Sequence, residues 1–195
     1  MRCYILILLL SISTTIFGQK ATTMFHKDGK TKCSEGPMRD GNEHGHWVYW
    51  NKEGQKVQET DFNEGKIHGW LRYFYTNGKI ENEGQFKNGI KHGIYRAWTR
   101  EGVLIEEGWY KNGIKDSIWT SWLPSGQKIK EELFAPDFTV KVLNTWDKNG
   151  QPLVENGNGK FTDYYSTGIV RQDGTYLTGL EQGQWTYYFN DGKKR

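Results

Sequence analysis

The chain has 195 residues with a formal net charge of +3, and it combines 24 glycines with 9 Trp, 11 Tyr and 9 Phe. This aromatic content excludes a solvated disordered chain, and so many glycines with so few aliphatic residues exclude a helical bundle or a doubly wound α/β core. The 26 basic and 23 acidic residues are interspersed rather than clustered, so no nucleic-acid partner is predicted.

The first residues in the chain have the pattern of an export signal. Arg2 precedes an apolar run at residues 4–10, and a Ser/Thr-rich stretch then ends at Gly18. A positive start, a short apolar run and a small residue near the cleavage point are typical of a secretory signal peptide, whereas a spanning helix needs about 20 apolar residues. We therefore predict a signal peptide over residues 1–18 and an exported protein, either periplasmic or secreted. Cleavage would leave Cys33 as the only cysteine, which predicts a mature chain without an internal disulfide.

Glycine recurs with a period of 24 residues through most of the remaining chain. The three rows are Gly54, Gly78, Gly102, Gly126 and Gly150; Gly41, Gly65, Gly89 and Gly113; and Gly45, Gly69 and Gly93. Six residues are missing after Gly150, and the first row resumes at Gly168 and Gly192. A fixed period of this length is the signature of a repeat array. We predict about seven repeats.

Each repeat is predicted to form a β-hairpin. Segments rich in aromatic residues, such as 70–75, lead into a glycine turn, and the chain then returns in a second segment such as 79–86. Asn-Gly is the strongest short-range hairpin signal, because a type I′ turn needs positive φ at both central residues. The signal occurs at residues 77–78, 88–89, 112–113 and 149–150, with Asp191-Gly192 as a near equivalent. We predict an all-β fold in which tandem hairpins form an elongated, twisted antiparallel sheet of about fourteen short strands.

An aromatic residue stands four positions before each central glycine. The column is Trp50, Phe74, Trp98, Trp122, Trp146, Tyr164 and Tyr188. Rows of this kind stabilise a sheet as cross-strand pairs, so we interpret the column as a structural feature and as the hydrophobic core of the sheet. A single hairpin buries too little to fold alone, so the repeats are expected to depend on their neighbours.

Residues 83–95, with the sequence Glu-Gly-Gln-Phe-Lys-Asn-Gly-Ile-Lys-His-Gly-Ile-Tyr, resemble the MORN repeat in its bacterial variant form. Residues 107–113, 173–179 and 183–185 are similar, and the resemblance covers roughly residues 25–195. It implies hairpins lined up into a long sheet. It also implies a binding role, since bacterial members resemble the YwqK-type antitoxin, which neutralises a toxin by binding, and eukaryotic relatives are linked to membrane association and scaffolding.

The repeat pattern is interrupted at two places. Residues 133–139 replace a glycine turn with Leu-Phe-Ala-Pro-Asp-Phe-Thr, and six residues are lost at 155–160. Both places predict a bend or a break between sub-arrays. The predicted organisation is therefore a partial repeat or cap at 19–45, MORN-like repeats at 46–138, and degenerate and C-terminal MORN-like repeats at 139–195.

Two polar columns are candidates for chemical sites. Residues two strands apart lie roughly 10 Å from each other, whereas zinc needs its nitrogen ligands about 2.0–2.1 Å away. His44, His68 and His92 therefore predict turn residues rather than a metal site. The acidic column is interpreted as a set of hydrogen-bond acceptors, each at its own turn, because equivalent carboxylates provide no distinguished catalytic pair; it comprises Glu59, Glu83, Glu107, Glu131, Glu155 and Asp173. No catalytic, cofactor-binding or metal-binding residue is predicted, and the protein is expected not to be an enzyme.

Irregular aromatic residues are the better candidates for binding a partner. Tyr49, Tyr73 and Tyr75 share strand parity, and Trp109 has no aromatic counterpart in other repeats. Exposed Tyr and Trp are favoured hot-spot residues in interfaces. The leading hypothesis is an exported scaffold or immunity-like binder of another protein. The rivals are a glycan- or cell-wall-binding module that uses the aromatic rows, and a membrane-surface protein, which the mixed charge disfavours.

Overall fold

The computed structural model describes residues 21–195, and the predicted signal peptide at 1–18 lies outside the described residues. This part of the chain is built from β-strands and turns. The strands are β1 (Ala21–Phe25), β2 (Lys32–Arg39), β3 (Asn42–Glu43), β4 (Gly45–Trp50), β5 (Lys56–Asn63), β6 (Lys66–Phe74), β7 (Ile80–Lys87), β8 (Ile90–Trp98), β9 (Leu104–Lys111), β10 (Ile114–Trp122), β11 (Lys128–Phe134), β12 (Val140–Trp146), β13 (Pro152–Val154), β14 (Gly159–Tyr164), β15 (Val170–Leu177) and β16 (Leu180–Tyr187).

The strands described form two sheets in which chain neighbours pair. The larger sheet has 13 strands in the order β1-β2-β4-β5-β6-β7-β8-β9-β10-β11-β12-β13, with β3 paired to β2, and the smaller has the order β14-β15-β16. The predicted all-β array of tandem antiparallel hairpins is confirmed. No helix that is long and apolar enough to cross a membrane occurs in residues 21–195.

The two interruptions of the repeat have different consequences. Strands β11 and β12 pair across residues 133–139, with Phe134 opposite Val140, so the sheet does not break there, and the alternative of a bend stays a prediction. A three-residue turn takes up the replaced segment and leaves the pairing intact. At the six-residue deletion the larger sheet does end, and a turn at 155–158 leads into the smaller sheet.

The chain divides into two compact units. The first contains the described residues up to Gly102 together with Lys111–Gly113, and the second contains Val103–Tyr110 and Ile114–Arg195. Within the second unit, the Val142 amide donates to the Gly179 carbonyl at 2.9 Å, which fastens the β15–β16 turn to β12.

The tight turns are of two kinds. Asn88-Gly89 and Asn112-Gly113 have positive φ at both residues, so the predicted type I′ turns are correct at these two sites. At Asn77-Gly78, Asn149-Gly150 and Asp191-Gly192 only the glycine has positive φ, and the type I′ prediction is wrong. Each of these turns is a three-residue loop that two backbone hydrogen bonds close. In one of them the Gly78 amide donates to the Tyr75 carbonyl at 2.9 Å. The extra residue is taken up as a bulge, a common alternative hairpin.

The buried core follows a pairing of glycine with an aromatic ring. A Cβ added to Gly36 would overlap the ring of Trp47, and one added to Gly108 would overlap the ring of Trp119. Both rings are almost fully buried, and glycine leaves the space that they occupy on the adjacent strand. Thr60 occupies the position equivalent to Gly36 in the next repeat, where the facing residue is Leu71, whose side chain is smaller than that of Trp. The buried apolar side chains in the described residues are Cys33, Trp47, Leu71, Trp119, Val142 and Val154.

Cys33 is buried and disulfide-bonded in this structure. The absence of an internal disulfide is predicted for the mature chain, from which residues 1–18 have been removed, and it stays a prediction.

Candidate protein-binding surface

The predicted aromatic column is half-buried rather than buried, except for Tyr164, which is 56% exposed. Lysine side chains cover several of its rings. Lys56 Nζ lies 4.1 Å from the ring centroid of Phe74, and Lys128 Nζ lies 5.5 Å from that of Trp146. Such cation–π contacts let a polar side chain shield an aromatic ring. The column thus has structural contacts, but the hydrophobic core predicted for it lies in the Trp47, Leu71 and Trp119 positions instead.

Three members of the acidic column form cross-strand contacts with basic or amide side chains. Arg72 Nε lies 2.9 Å from Glu83 Oε2, and Arg96 Nη1 lies 3.5 Å from Glu83 Oε1. The Arg72 guanidinium also reaches Glu59 at 4.0 Å. In the second unit Glu131 accepts hydrogen bonds from Lys128 and Asn144 at 2.7 Å each. The prediction that each acid bonds at its own turn is wrong for Glu83, whose partners lie on the facing strands. Glu59 and Glu131 bond both to a lysine of their own strand and to a side chain of the facing strand.

The histidine column consists of isolated side chains in the first unit. His68 Nδ1 lies 3.1 Å from Asn88 Oδ1, and His46 Nδ1 lies 2.8 Å from Asp61 Oδ1. The Nδ1 atoms of His44 and His92 are buried without a hydrogen-bond partner. In residues 21–195 no group of three or more His, Cys, Asp or Glu side chains is placed to hold a metal ion.

The three tyrosines of the first unit that are predicted to bind a partner differ in their hydrogen bonds and in their exposure to solvent. The Tyr75 hydroxyl donates to the Trp98 carbonyl at 2.8 Å, a tie to the following repeat that Tyr165 makes again with the Tyr188 carbonyl. Tyr49 is half-buried, and burial together with the nearby Glu43 raises its pKa well above the usual value. Only Tyr73, which is 39% exposed, presents its ring to solvent.

Trp109, the candidate in the second unit, is 43% exposed because of a local change in the hairpin. In the first unit the equivalent position is Gln85, whose Oε1 accepts the Ile94 amide at 3.2 Å beside Gly93. In the second unit the equivalent of Gly93 is Ser117, with φ of 60°. The Trp109 side chain has no oxygen atom that could accept a backbone amide, so it cannot form the hydrogen bond that Gln85 forms with Ile94.

The structure reveals an apolar cluster that the sequence analysis missed. We call it the edge patch, and it consists of Phe138, Val140, Leu177 and Leu180. These side chains are 74%, 43%, 51% and 44% exposed, respectively. Phe138 lies in the β11–β12 turn, Val140 is the first residue of β12, and Leu177 and Leu180 flank the β15–β16 turn. The Val142 amide donates to the Gly179 carbonyl, so the β15–β16 turn lies against β12, the strand that follows the β11–β12 turn.

Charged groups surround the edge patch. Asp137 precedes Phe138, and hydrogen bonds from Thr139 hold the pKa of its carboxyl below the usual value. Glu181 follows Leu180, and Lys141 follows Val140. Leu177 could have been found in the sequence, since the earlier repeats have Asn63 and Lys87 at that position. The position of Leu180 is apolar and exposed in other repeats too, as Ile90 and Ile114.

One family model matches part of the chain. Residues 67–88, which cover most of β6 and all of β7, match the model described as MORN repeat variant. This match supports the MORN-repeat family, whose repeats are generally modules that bind proteins or membranes. No curated protein matches the chain.

Proposed function

We propose that this protein is a non-enzymatic repeat protein that binds another protein through the edge patch. The observation that carries the proposal is the exposure of Phe138, Val140, Leu177 and Leu180 at one edge of the second unit. Exposed large apolar side chains beside charged groups are typical of interaction sites, because covering them removes apolar surface from water.

The turns that present the patch are fixed by backbone hydrogen bonds. The Phe138 amide donates to the Ala135 carbonyl at 3.0 Å, and the Ala135 amide donates to the Thr139 carbonyl at 2.9 Å. The Gly179 amide likewise donates to the Gly157 carbonyl at 2.9 Å. A surface that is already ordered loses little conformational entropy on binding, which favours recognition of a partner.

The polar columns support binding rather than catalysis. Glu83 is held between Arg72 and Arg96, so it is an ion-pair member and not a free general acid or base. The charge pattern of residues 1–18 supports export to the periplasm or outside the cell. An immunity-like role, in which the protein neutralises a toxin by binding, is the finer form of the proposal and draws on the resemblance to YwqK-type antitoxins.

The test is an affinity capture from cell-envelope extract with the protein expressed from its full sequence. Wild type is compared with the double variant Leu177→Ser, Leu180→Ser, and with Tyr73→Ser as a matched control in the first unit. We expect one protein at near-stoichiometric amount with wild type and the control, and its loss with the double variant. Circular dichroism of all three checks that the fold is retained.

Two other outcomes would contradict the proposal. Retention of the bait on insoluble cell-wall polysaccharide, without any protein partner, would favour the glycan-binding rival. Tyr73→Ala is the sharper variant for that rival, because Tyr75→Ala would also remove the hydrogen bond to the Trp98 carbonyl. Sedimentation of the protein with anionic vesicles at low salt, unchanged in the double variant, would favour the membrane-surface rival.

A further inference from the structure

We infer that Phe138 is the anchor residue of the edge patch, and that it inserts into an apolar pocket with a basic rim on the partner protein. The inference rests on the proposed function, and it names the residue and the chemistry through which that function would work.

The backbone at Phe138 is the first observation. Its φ is 67°, in the left-handed region, and the other non-glycine residues with positive φ in residues 21–195 are Asp, Glu, Asn, Ser or Thr. A bulky aromatic residue in this region is a genuine outlier. The same position in the other three-residue turns of the repeat is glycine each time: Gly54, Gly78, Gly102, Gly126, Gly150, Gly168 and Gly192.

Packing of the Phe138 side chain within the described residues does not offset the backbone strain. The side chain is 74% exposed, the largest exposed fraction among the exposed large hydrophobic residues of the described chain. Glycine would form the same turn without strain, since Gly78 makes the equivalent bond from its amide to the carbonyl three residues earlier. Backbone strain that folding does not need points to a functional use of the residue.

The turn also holds Phe138 in a fixed position. Pro136 restricts the backbone two residues before it, and Asp137 Oδ1 accepts the Thr139 amide at 2.9 Å. With the two backbone bonds that close the turn, this segment is ordered before any partner arrives. A rigid aromatic side chain is the type of residue that forms hot spots in interfaces.

The charges beside Phe138 indicate the rim of the partner's pocket. Asp137 directly precedes Phe138 and Glu181 directly follows Leu180, so two carboxylates lie beside the edge patch, and Lys141 is the basic residue that acts on Asp137. An exposed carboxylate directly before the anchor is complementary to Arg or Lys on the opposing surface. We therefore commit to a protein partner with a basic rim rather than to a membrane, whose anionic headgroups would repel Asp137.

A direct test uses a defined model pocket. Cationic per-amino β-cyclodextrin has an apolar cavity with a basic rim, and neutral β-cyclodextrin has the cavity alone. By calorimetry, we expect wild type to bind the cationic host more tightly than the neutral one, and Phe138→Gly to lose binding to both. Asp137→Asn should remove the preference for the cationic host. Equal binding of both hosts by wild type and Phe138→Gly would overturn the inference.

The second test uses the protein captured in the experiment above, after purification. Phe138→Gly is expected to weaken the complex at least about 30-fold, and Asp137→Asn several-fold. Trp109→Ala is the control and should bind as wild type. Because Phe138→Gly relieves strain, its melting temperature should rise, so weaker binding cannot be attributed to misfolding.

The outcomes separate the anchor from the general proposal. If a partner is captured and Phe138→Gly binds it as tightly as wild type, the anchor inference fails and the proposed function stands. If no protein is captured, both fail. If uncharged vesicles bind wild type but not Phe138→Gly, the residue inserts into lipid, and the protein-pocket inference is wrong.

Discussion

The hairpins β7–β8 and β9–β10 are equivalent parts of two successive repeats, but they differ in how closely an aromatic ring packs against a glycine. In the first, a Cβ on Gly84 would lie 3.5 Å from the ring of Tyr95, an ordinary contact. In the second, a Cβ on Gly108 would overlap the indole of Trp119, whose Nε1 donates to the Trp109 carbonyl at 3.1 Å. The same glycine column is therefore permissive in one hairpin and required in the other, and the size of the facing ring decides which.

The same two hairpins also differ at their bulge. Gln85 folds back in the first hairpin and accepts the Ile94 amide, whereas Trp109 in the second hairpin is 43% exposed. Ile118, the equivalent of Ile94, is 51% exposed. One position of the repeat can thus stabilise the sheet or present an apolar side chain to solvent.

The largest expected effect is on the glycine column. We expect Gly108→Ala to lower the free energy of unfolding by up to about 3 kcal/mol, because the new methyl group must displace the buried Trp119 ring. Gly84→Ala should change it by less than about 1 kcal/mol, since Tyr95 is in ordinary contact distance. Urea denaturation measures both. Equal losses would show that ring size does not decide the need for glycine.

The bulge glycine should give the next largest effect. Gly93 has φ of 115° and lies against the Gln85 side chain, so Gly93→Ala is expected to cost about 1–2 kcal/mol. The matched change in the second hairpin, Ser117→Gly, relieves positive φ and should stabilise the protein by up to about 1 kcal/mol. Thermal unfolding of the two variants should therefore move in opposite directions, and a shift in the same direction would contradict the comparison.

The facing side chains should show a smaller contrast. Gln85→Ala leaves the Ile94 amide without its acceptor, which is expected to cost about 1 kcal/mol. Trp109→Ala removes an exposed side chain while its backbone carbonyl still accepts Trp119 Nε1, so stability should change by less than about 0.5 kcal/mol. A large loss of stability for Trp109→Ala would mean that this side chain is structural.

The sequence predicts the repeat well because period, turn residues and strand pattern are all local signals. Which Asn-Gly pairs form type I′ turns is not predictable from the dipeptide, because Asn77-Gly78 and Asn88-Gly89 have the same letters and different loop lengths. The sequence predicts Tyr75 as a candidate for binding a partner and does not show its structural hydrogen bond, because the acceptor, the Trp98 carbonyl, lies 23 residues away in the next repeat.

The edge patch depends on contacts over still longer distances. The bond between Val142 and Gly179 crosses the six-residue deletion and brings Val140 and Leu177 to one edge. The repeat alignment gives no reason to join these residues, because the deletion shifts the register of everything that follows it. The strain at Phe138 is likewise a property of backbone geometry, because the 24-residue repeat aligns this position with Ile114 and Ile90 and only the hydrogen bonds of the turn make it equivalent to a glycine.

The smallest contrast between the hairpins is a dependence on pH. Tyr110 of β9 occupies the position that Phe86 has in β7, and it packs edge-on against Trp119 with ring centroids 5.0 Å apart. Burial, opposed by Lys115 and assisted by Glu106, raises the pKa of Tyr110 above its usual value near 10. Because the unfolded chain then loses the phenolic proton first, the contribution of Tyr110 to stability is complete below about pH 10 and declines as the pH rises through the folded-state pKa.

Tyr110→Phe makes β9 equivalent to β7 at this position and tests that dependence. The free energy of unfolding of wild type should decline more steeply than that of the variant above about pH 10, while the two curves run parallel at neutral pH. Part of the decline should persist in the variant, since burial and nearby Glu181 raise the pKa of Tyr176 to about 12. Phe86→Tyr is the converse variant, and it should add alkaline sensitivity to the β7–β8 hairpin. If Tyr110→Phe leaves the alkaline slope unchanged, the phenol is solvated in the folded protein and the two hairpins do not differ at this position.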